Sequence, residues 1–127
     1  MKNFARELRR GTLELLLLRL LEEEEKYGYR LVRELADRSR GLLEVKEGTL
    51  YPVLYRLVEQ GLIEPTWKQR DRGVPRKYYR LTAQGGVRLT ELVDEWRAFA
   101  SVVEDVLTQT PSKRPRDESS KQLKEGS

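Results

Sequence analysis

The stretch Glu47-Gly48-Thr49-Leu50-Tyr51-Pro52-Val53-Leu54-Tyr55-Arg56-Leu57-Val58-Glu59-Gln60-Gly61-Leu62-Ile63-Glu64-Pro65-Thr66-Trp67-Lys68 changes its hydrophobic period in mid-course. Leu50, Val53, Leu54, Leu57 and Val58 fall at i, i+3, i+4, i+7 and i+8, one face of a helix, and Gly61 is placed to end it as the residue after the C-cap. Past Gly61, Ile63, Pro65 and Trp67 take one side while Glu64, Thr66 and Lys68 take the other, which is the alternation of a strand. Pro52 fits best at the first position of a helix beginning near Tyr51, yet Leu50 belongs to the same stripe. The spacing therefore predicts a helix that starts a turn earlier, with a local distortion at Pro52.

Downstream, Asp71-Arg72-Gly73 is a turn signal bounded by Pro75, and Arg76-Lys77-Tyr78-Tyr79-Arg80-Leu81 has the composition of a second strand. The two strands make a hairpin, with Trp67 expected in the core beneath it and the hydroxyls of Tyr78 and Tyr79 offered as donors. Thr82 is a good N-cap for a long last helix over 83–107, ~40 Å at ~1.5 Å per residue, whose first turn Gly85 and Gly86 weaken. Its apolar positions Leu89, Leu92, Trp96, Phe99, Val103 and Val106 alternate steps of three and four, the seam of a coiled coil, and are expected to join two copies of the chain. From Pro111 the composition turns to Pro, Ser and charge, so residues 112–127 are expected to be disordered. The five cations and three acids of that tail suit a non-specific DNA contact or an idle solubilising tail equally.

Upstream, Leu13, Leu16, Leu17, Leu20 and Leu21 repeat the helical spacing, and Leu15 and Leu18 widen the stripe until the helix must be buried on more than one side. Thr12 is the expected N-cap, with Glu14 in the first turn, and residues 1–10 are read as a short leading helix. A second helix is expected from about Tyr29 to Arg38, carried by Gly28, Leu31, Val32, Leu35 and Ala36 and interrupted at Gly41. The run Glu22-Glu23-Glu24-Glu25 points around most of a helix and cannot converge on one ion, so it is read as a solvated helix end.

Three helices, a hairpin and a helix give a mainly α (α+β) fold of winged helix-turn-helix order, with a two-stranded wing and a long C-terminal dimerisation helix. The division expected is a DNA-binding domain at 1–82, the dimerisation helix at 83–110 and a tail at 111–127. Between Lys68 and Arg80 the cations Lys68, Arg70, Arg72, Arg76, Lys77 and Arg80 face Asp71 alone, a net +5 that exceeds the +4 of the whole 127-residue chain. Such concentration on a projecting loop is the footprint of phosphate or minor-groove contacts.

The absence of Cys removes disulfides, thiolate nucleophiles and zinc ribbons, and the absence of His removes the Ser-His-Asp triad and imidazole metal sites. With no phosphate loop, no G-x-G-x-x-G and no paired-carboxylate signature, the chain does not read as an enzyme, and no cofactor or metal is called for. The longest apolar run, Leu15 to Leu18 continued by Leu20 and Leu21, is far below the ~20 residues that span a bilayer. Without a signal peptide the expected location is cytoplasmic, with no membrane partner.

Gly11-Thr12-Leu13-Glu14-Leu15, Tyr27-Gly28-Tyr29 and Glu47-Gly48-Thr49-Leu50-Tyr51-Pro52-Val53-Leu54, continued by Gly61-Leu62-Ile63, Pro75-Arg76-Lys77-Tyr78-Tyr79-Arg80-Leu81-Thr82 and Gly85, resemble the PadR family of bacterial transcriptional regulators over about Arg10 to Ala100. The resemblance implies a homodimeric repressor that binds double-stranded DNA, with the C-terminal helix building the dimer and a small molecule able to relieve repression. In some regulators of similar kind a planar aromatic effector stacks at the dimer centre. Here that place falls to Trp96 and Phe99, and Trp96 either packs plainly in the seam or lines the ligand pocket. The chain departs from the family pattern at Lys46, where a small hydroxyl or apolar cap is usual, and so adds a cation.

On the third helix the face opposite the apolar stripe presents Thr49, Tyr51, Pro52, Tyr55 and Arg56, with Lys46 at its start. Arg56 is suited to a bidentate bond to guanine and Thr49 to a base edge or thymine methyl. Tyr51 and Tyr55 either face DNA or pack against the first helix or the base of the wing. On the wing, Lys68, Arg70, Arg72, Arg76 and Lys77 are the expected backbone contacts. A reading of a different class is a protein-interaction adaptor that uses the winged helix as a scaffold without sequence-specific DNA binding, and the basic wing argues against it.

Overall fold

The computed structural model describes residues 2–69 and 73–111, and two compact units divide the chain after Arg97. A short 3-10 turn, Phe4–Glu7, replaces the expected leading helix and is followed by α1, Arg10–Glu23; β1, Lys26–Tyr27; α2, Gly28–Arg38; and α3, Glu47–Glu59. The hairpin β2, Ile63–Lys68, and β3, Arg76–Leu81, leads into α4, Ala83–Thr108. The order anticipated for a winged helix-turn-helix is the order observed.

The leucine-rich stripe of α1 buries Leu13, Leu15, Leu17, Leu18, Leu20 and Leu21, so the helix is enclosed on several sides as its width requires. Leu31 and Leu35 of α2, Leu50, Val53, Leu54 and Leu57 of α3, and Ile63 and Tyr79 of the sheet close over it. Leu89 and Leu92 of α4 join the same core, so the first turns of α4 belong to the winged-helix unit.

The helix ends differ in how they are capped. The N-cap of α1 is Arg9, three residues before the Thr12 expected from sequence, and its side chain makes no cap hydrogen bond. The start of α3 is Lys46, likewise without a side-chain cap, and the helix continues through Pro52. Pro52 lacks the N–H that would bond to the Gly48 carbonyl, but both residues are exposed, where the loss costs least. At the other end Gly61 adopts φ +75° as the residue after the C-cap, and its N–H and that of Leu62 donate to the carbonyls of Val58 and Leu57. That tight stop is what delivers the chain from α3 into β2. At α4, Thr82 Oγ1 accepts from the Gly85 N–H at 3.0 Å, the expected cap.

The sheet has three strands rather than the hairpin alone, in the order β1-β3-β2 and antiparallel throughout. Lys26 pairs with Tyr79 and Tyr27 with Tyr78. This explains why adjacent Tyr78 and Tyr79 are both buried although they point to opposite faces: Tyr79 enters the core, while Tyr27 meets Tyr78 edge-on with ring centroids 5.3 Å apart. The hydroxyl-donor role expected of these two tyrosines meets that burial, which takes them off the surface. Trp67 departs in the opposite sense. Ile63, Pro65 and Trp67 do alternate with polar neighbours, but only Ile63 lies over the core, and at ~3.3 Å per residue the strand has run past the buried core by Trp67, which is 68% exposed.

Candidate nucleic-acid interface

Burial of Leu50, Val53, Leu54 and Leu57 turns the rest of α3 outward, leaving Thr49, Tyr51, Pro52 and Tyr55 exposed and Lys46 exposed at its start. Tyr55 stands 65% clear of the protein. Tyr51 is held differently. Its ring crosses the first residue of α2 so closely that a Cβ on Gly28 would fall 2.3 Å from its hydroxyl, and it also lies beside Tyr79 of β3, so α2 joins the wing base in packing against it. Burial, and then the Glu47 carboxylate, push its hydroxyl pKa upward, so it stays a neutral donor. Arg56 is half-buried on the flank of α3, and its Nε is shut away with no hydrogen-bond partner.

The wing cations divide into two groups. Lys68 pairs with Glu25 at the end of the acidic run, and Arg80 pairs with Glu64 directly across the strands at 2.7 Å. Arg76 and Lys77 have no acidic partner among the described residues, and Arg76 lies 4.5 Å from the centroid of the Tyr27 ring, a cation–π contact that orients it. Arg70 and Arg72 lie outside the described residues. Tyr29, Tyr51, Trp67, Arg76 and Lys77 line a cleft of about 440 Å³ that the start of α2, the outer face of α3 and the sheet share. Sequence reasoning placed the cations there but missed the aromatic wall, because Trp67 was read as core.

The acidic run is more than a solvated helix end. Glu23 and Glu34 take the ammonium of Lys26 at 2.9 and 2.8 Å, and that lysine is fully buried. Arg38 reaches Glu23 at 2.7 Å and Glu34 at 3.0 Å, while Arg30 reaches Glu34 at 2.7 Å and Glu24 at 2.6 Å. The network joins the end of α1, β1 and α2, and so fixes the helix that Tyr51 leans on. Among the described residues no His/Cys/Asp/Glu cluster has the make-up of a metal site, and no helix is long and apolar enough to cross a membrane.

On α4 the expected seam is split by burial. Leu89 and Leu92 are buried in the core and present no surface to a second chain. Beyond the core, α4 leaves Val87 exposed near its start and Trp96, Phe99, Val102, Val103, Val106 and Leu107 exposed along its C-terminal half. Trp96, 49% exposed, lines a shallow cleft of about 260 Å³ with Leu15, Leu92, Thr12, Arg9 and Glu95.

A helix-turn-helix with an exposed second helix, flanked by a projecting basic hairpin, defines a winged-helix DNA-binding domain. The pattern of the transcriptional regulator PadR-like family matches residues 17–91. The chain is 36% identical to the transcriptional regulator Rv3488 of Mycobacterium tuberculosis, over 80% of this chain and 89% of that protein. Among solved structures, a PadR family transcriptional regulator from Eggerthella lenta superposes with a TM-score of 0.71 at 40% identity, covering 83% of this chain and 89% of that one. A PadR-like regulator from Bacillus cereus gives a TM-score of 0.70 at 35% identity, over 80% and 96%. The chain belongs to the PadR-like family of transcriptional regulators.

Proposed function

We propose that this protein is a sequence-specific repressor that acts in the cytoplasm as a homodimer on a palindromic operator, and that a planar aromatic effector bound near Trp96 and Phe99 relieves repression. The observation that carries the DNA-reading part is the outer face of α3: Thr49, Tyr51, Pro52 and Tyr55 stand exposed, and Tyr51 shares a cleft with the wing cations Arg76 and Lys77, which have no acidic partner among the described residues. In this reading α3 enters the major groove and Thr49 meets base edges, while Arg76, Lys77, Arg70 and Arg72 meet backbone phosphates of the neighbouring groove. Lys68, paired with Glu25, contributes less than its charge suggests.

A single α3 spans few base pairs, so two copies about one helical turn apart supply the affinity and the two-fold symmetry of the operator. The exposed apolar residues of α4 support the dimer, and binding over a promoter represses by occlusion. An effector seated between copies at Trp96 would act by changing the separation of the two reading helices.

The test is fluorescence anisotropy on labelled DNA from upstream of the protein's own gene, against a shuffled duplex, at two salt concentrations. Tighter binding to the upstream fragment, falling steeply with salt, is the expected result. Lys77→Ala should weaken binding to both duplexes alike and flatten the salt slope by about 1, whereas Thr49→Ala should narrow the ratio between them. Equal, weak binding of wild type to both duplexes would return the adaptor reading to favour.

A further inference from the structure

The cations of the winged-helix unit are unevenly neutralised. Arg19, Lys26, Arg30 and Arg38 are each paired with acids of the run that ends α1 or with Glu34. Arg6, Arg9, Arg10, Lys46 and Arg56 have no acidic partner among the described residues, and all five line one cleft of about 700 Å³ with Glu44 as the only carboxylate. Five unpaired cations around one acid make the cleft strongly positive, and it is built rather than accidental. Asn3 Oδ1 accepts from the Ala5 and Glu44 N–H groups at 3.0 and 3.1 Å, and the Phe4 N–H donates to the Leu42 carbonyl at 2.6 Å. These bonds strap the N-terminal segment onto the loop before α3 and hold Arg6 at the cleft.

Two further observations point to an anion. Helix N-termini favour negative charge, yet Arg9 and Lys46 occupy the N-caps of α1 and α3 without a side-chain cap, and while α3 has Glu47 in its first turn, the first turn of α1 contains no acid. Arg56 lines the cleft with its Nε turned away from solvent, buried and without a hydrogen-bond partner, a state that buried donors rarely keep. A phosphate that draws this guanidinium toward the cleft would satisfy Nε and one Nη together, the bidentate geometry of arginine–phosphate pairs. Thr49 and Pro52 of the outer face of α3 also line the cleft, so it borders the surface proposed to read DNA.

We infer that the cleft of Arg6, Arg9, Arg10, Lys46 and Arg56 is a phosphate-binding site, whose natural occupant is a backbone phosphate of the DNA lying against α3. The inference rests on the DNA-binding reading above for the source of the phosphate, and on the cleft itself for the chemistry. It moves Arg56 from base reading to backbone anchoring, and gives the N-terminal segment a part in binding.

Two variants of the full chain test it: Arg6→Gln with Arg9→Gln, both exposed and outside the core, and Arg56→Lys, which keeps the charge and loses the fork. Anisotropy with a labelled duplex across a salt series should show the double variant binding several-fold more weakly, with the salt slope shallower by about 1 and the upstream-to-shuffled ratio unchanged. Arg56→Lys should weaken binding with no change in net charge. A second arm compares melting in inorganic phosphate and in chloride of equal ionic strength, and a rise in phosphate for wild type alone assigns the cleft to free phosphate as well. If wild type binds DNA with a steep slope, neither variant alters it and phosphate has no effect, the cleft assignment is wrong and the DNA reading stands. If wild type fails to bind DNA but phosphate stabilises it and not the variants, the cleft stands and the DNA reading falls.

Discussion

Lys26 shows how one residue can be misread from its neighbours. In sequence it belongs to a break, Lys26-Tyr27-Gly28, after four glutamates, and nothing in its type predicts full burial. In the fold its ammonium reaches Glu23 and Glu34 from three and eight residues away, and that pairing makes burial tolerable. Hydrogen bonds from Arg38 and then Lys26 hold the Glu23 carboxyl at about 2, well below its ordinary 4.5. A carboxyl depressed on folding contributes stability that is present above its unfolded value and disappears as pH falls through its folded value. Glu23→Gln should therefore cost about 1 to 3 kcal/mol at neutral pH, and the difference from wild type should shrink between about pH 5 and pH 2. Urea midpoints of both proteins across that range check it, and a constant difference would mean that the charge of Glu23 contributes nothing.

At the scale of elements, two adjacent glycines in the first turn of α4 make opposite predictions. Both look like weak points by helix propensity, where Gly costs ~1 kcal/mol against Ala. A Cβ on Gly85 would lie 2.0 Å from the Leu62 carbonyl oxygen, a backbone atom that cannot step aside, whereas one on Gly86 would meet only Leu81 Cδ2 at 4.0 Å. Gly85→Ala should destabilise by about 1 to 3 kcal/mol as the helix is pushed off the connection between α3 and β2, and Gly86→Ala should be neutral or stabilise by up to about 1 kcal/mol. Equal effects in thermal melts would refute the close approach. The same comparison marks what sequence reveals about elements. Helices and hairpin were legible because stripes such as Leu50–Val58 and the alternation after Gly61 are long enough to carry a period. Strand β1 was not, since two residues have no period and their pairing with β3 is a tertiary fact. Trp67 shows the limit of alternation, which gives the face of a strand but not how far along it the core extends. The outward face of α3 was legible as the complement of its buried stripe. The cleft beside it was not, because Arg6, Arg9 and Arg10 come from a segment with no strong pattern of its own.

For the whole molecule the question is what covers α4. Heptad spacing assigned Leu89 and Leu92 to the same seam as Trp96, Phe99, Val103 and Val106, because a coiled-coil pattern and a helix packed on its own core use the same spacing. Burial separates the two uses: the leucines fill the core of the winged-helix unit, while Phe99, Val102, Val106 and Leu107 are between 60% and 73% exposed. Exposed apolar residues in such number on one helix are costly in water and support the proposed dimer surface. Phe99→Asp places a charge there without touching the core, so the winged-helix unit should keep its melting behaviour. Sedimentation equilibrium should then show the proposed dimer for wild type and monomer for the variant, and anisotropy should show preference for the upstream fragment lost while salt-dependent binding to any duplex remains, since each reading helix and wing survives alone. Val106→Asp should reproduce the effect. Were both variants to remain dimeric, the two-fold axis would have to pass through another surface and the effector role of Trp96 would lose its location. A variant that is monomeric yet still discriminates between the duplexes would mean that one copy of α3, with the wing and the cationic cleft, reads enough of the operator by itself.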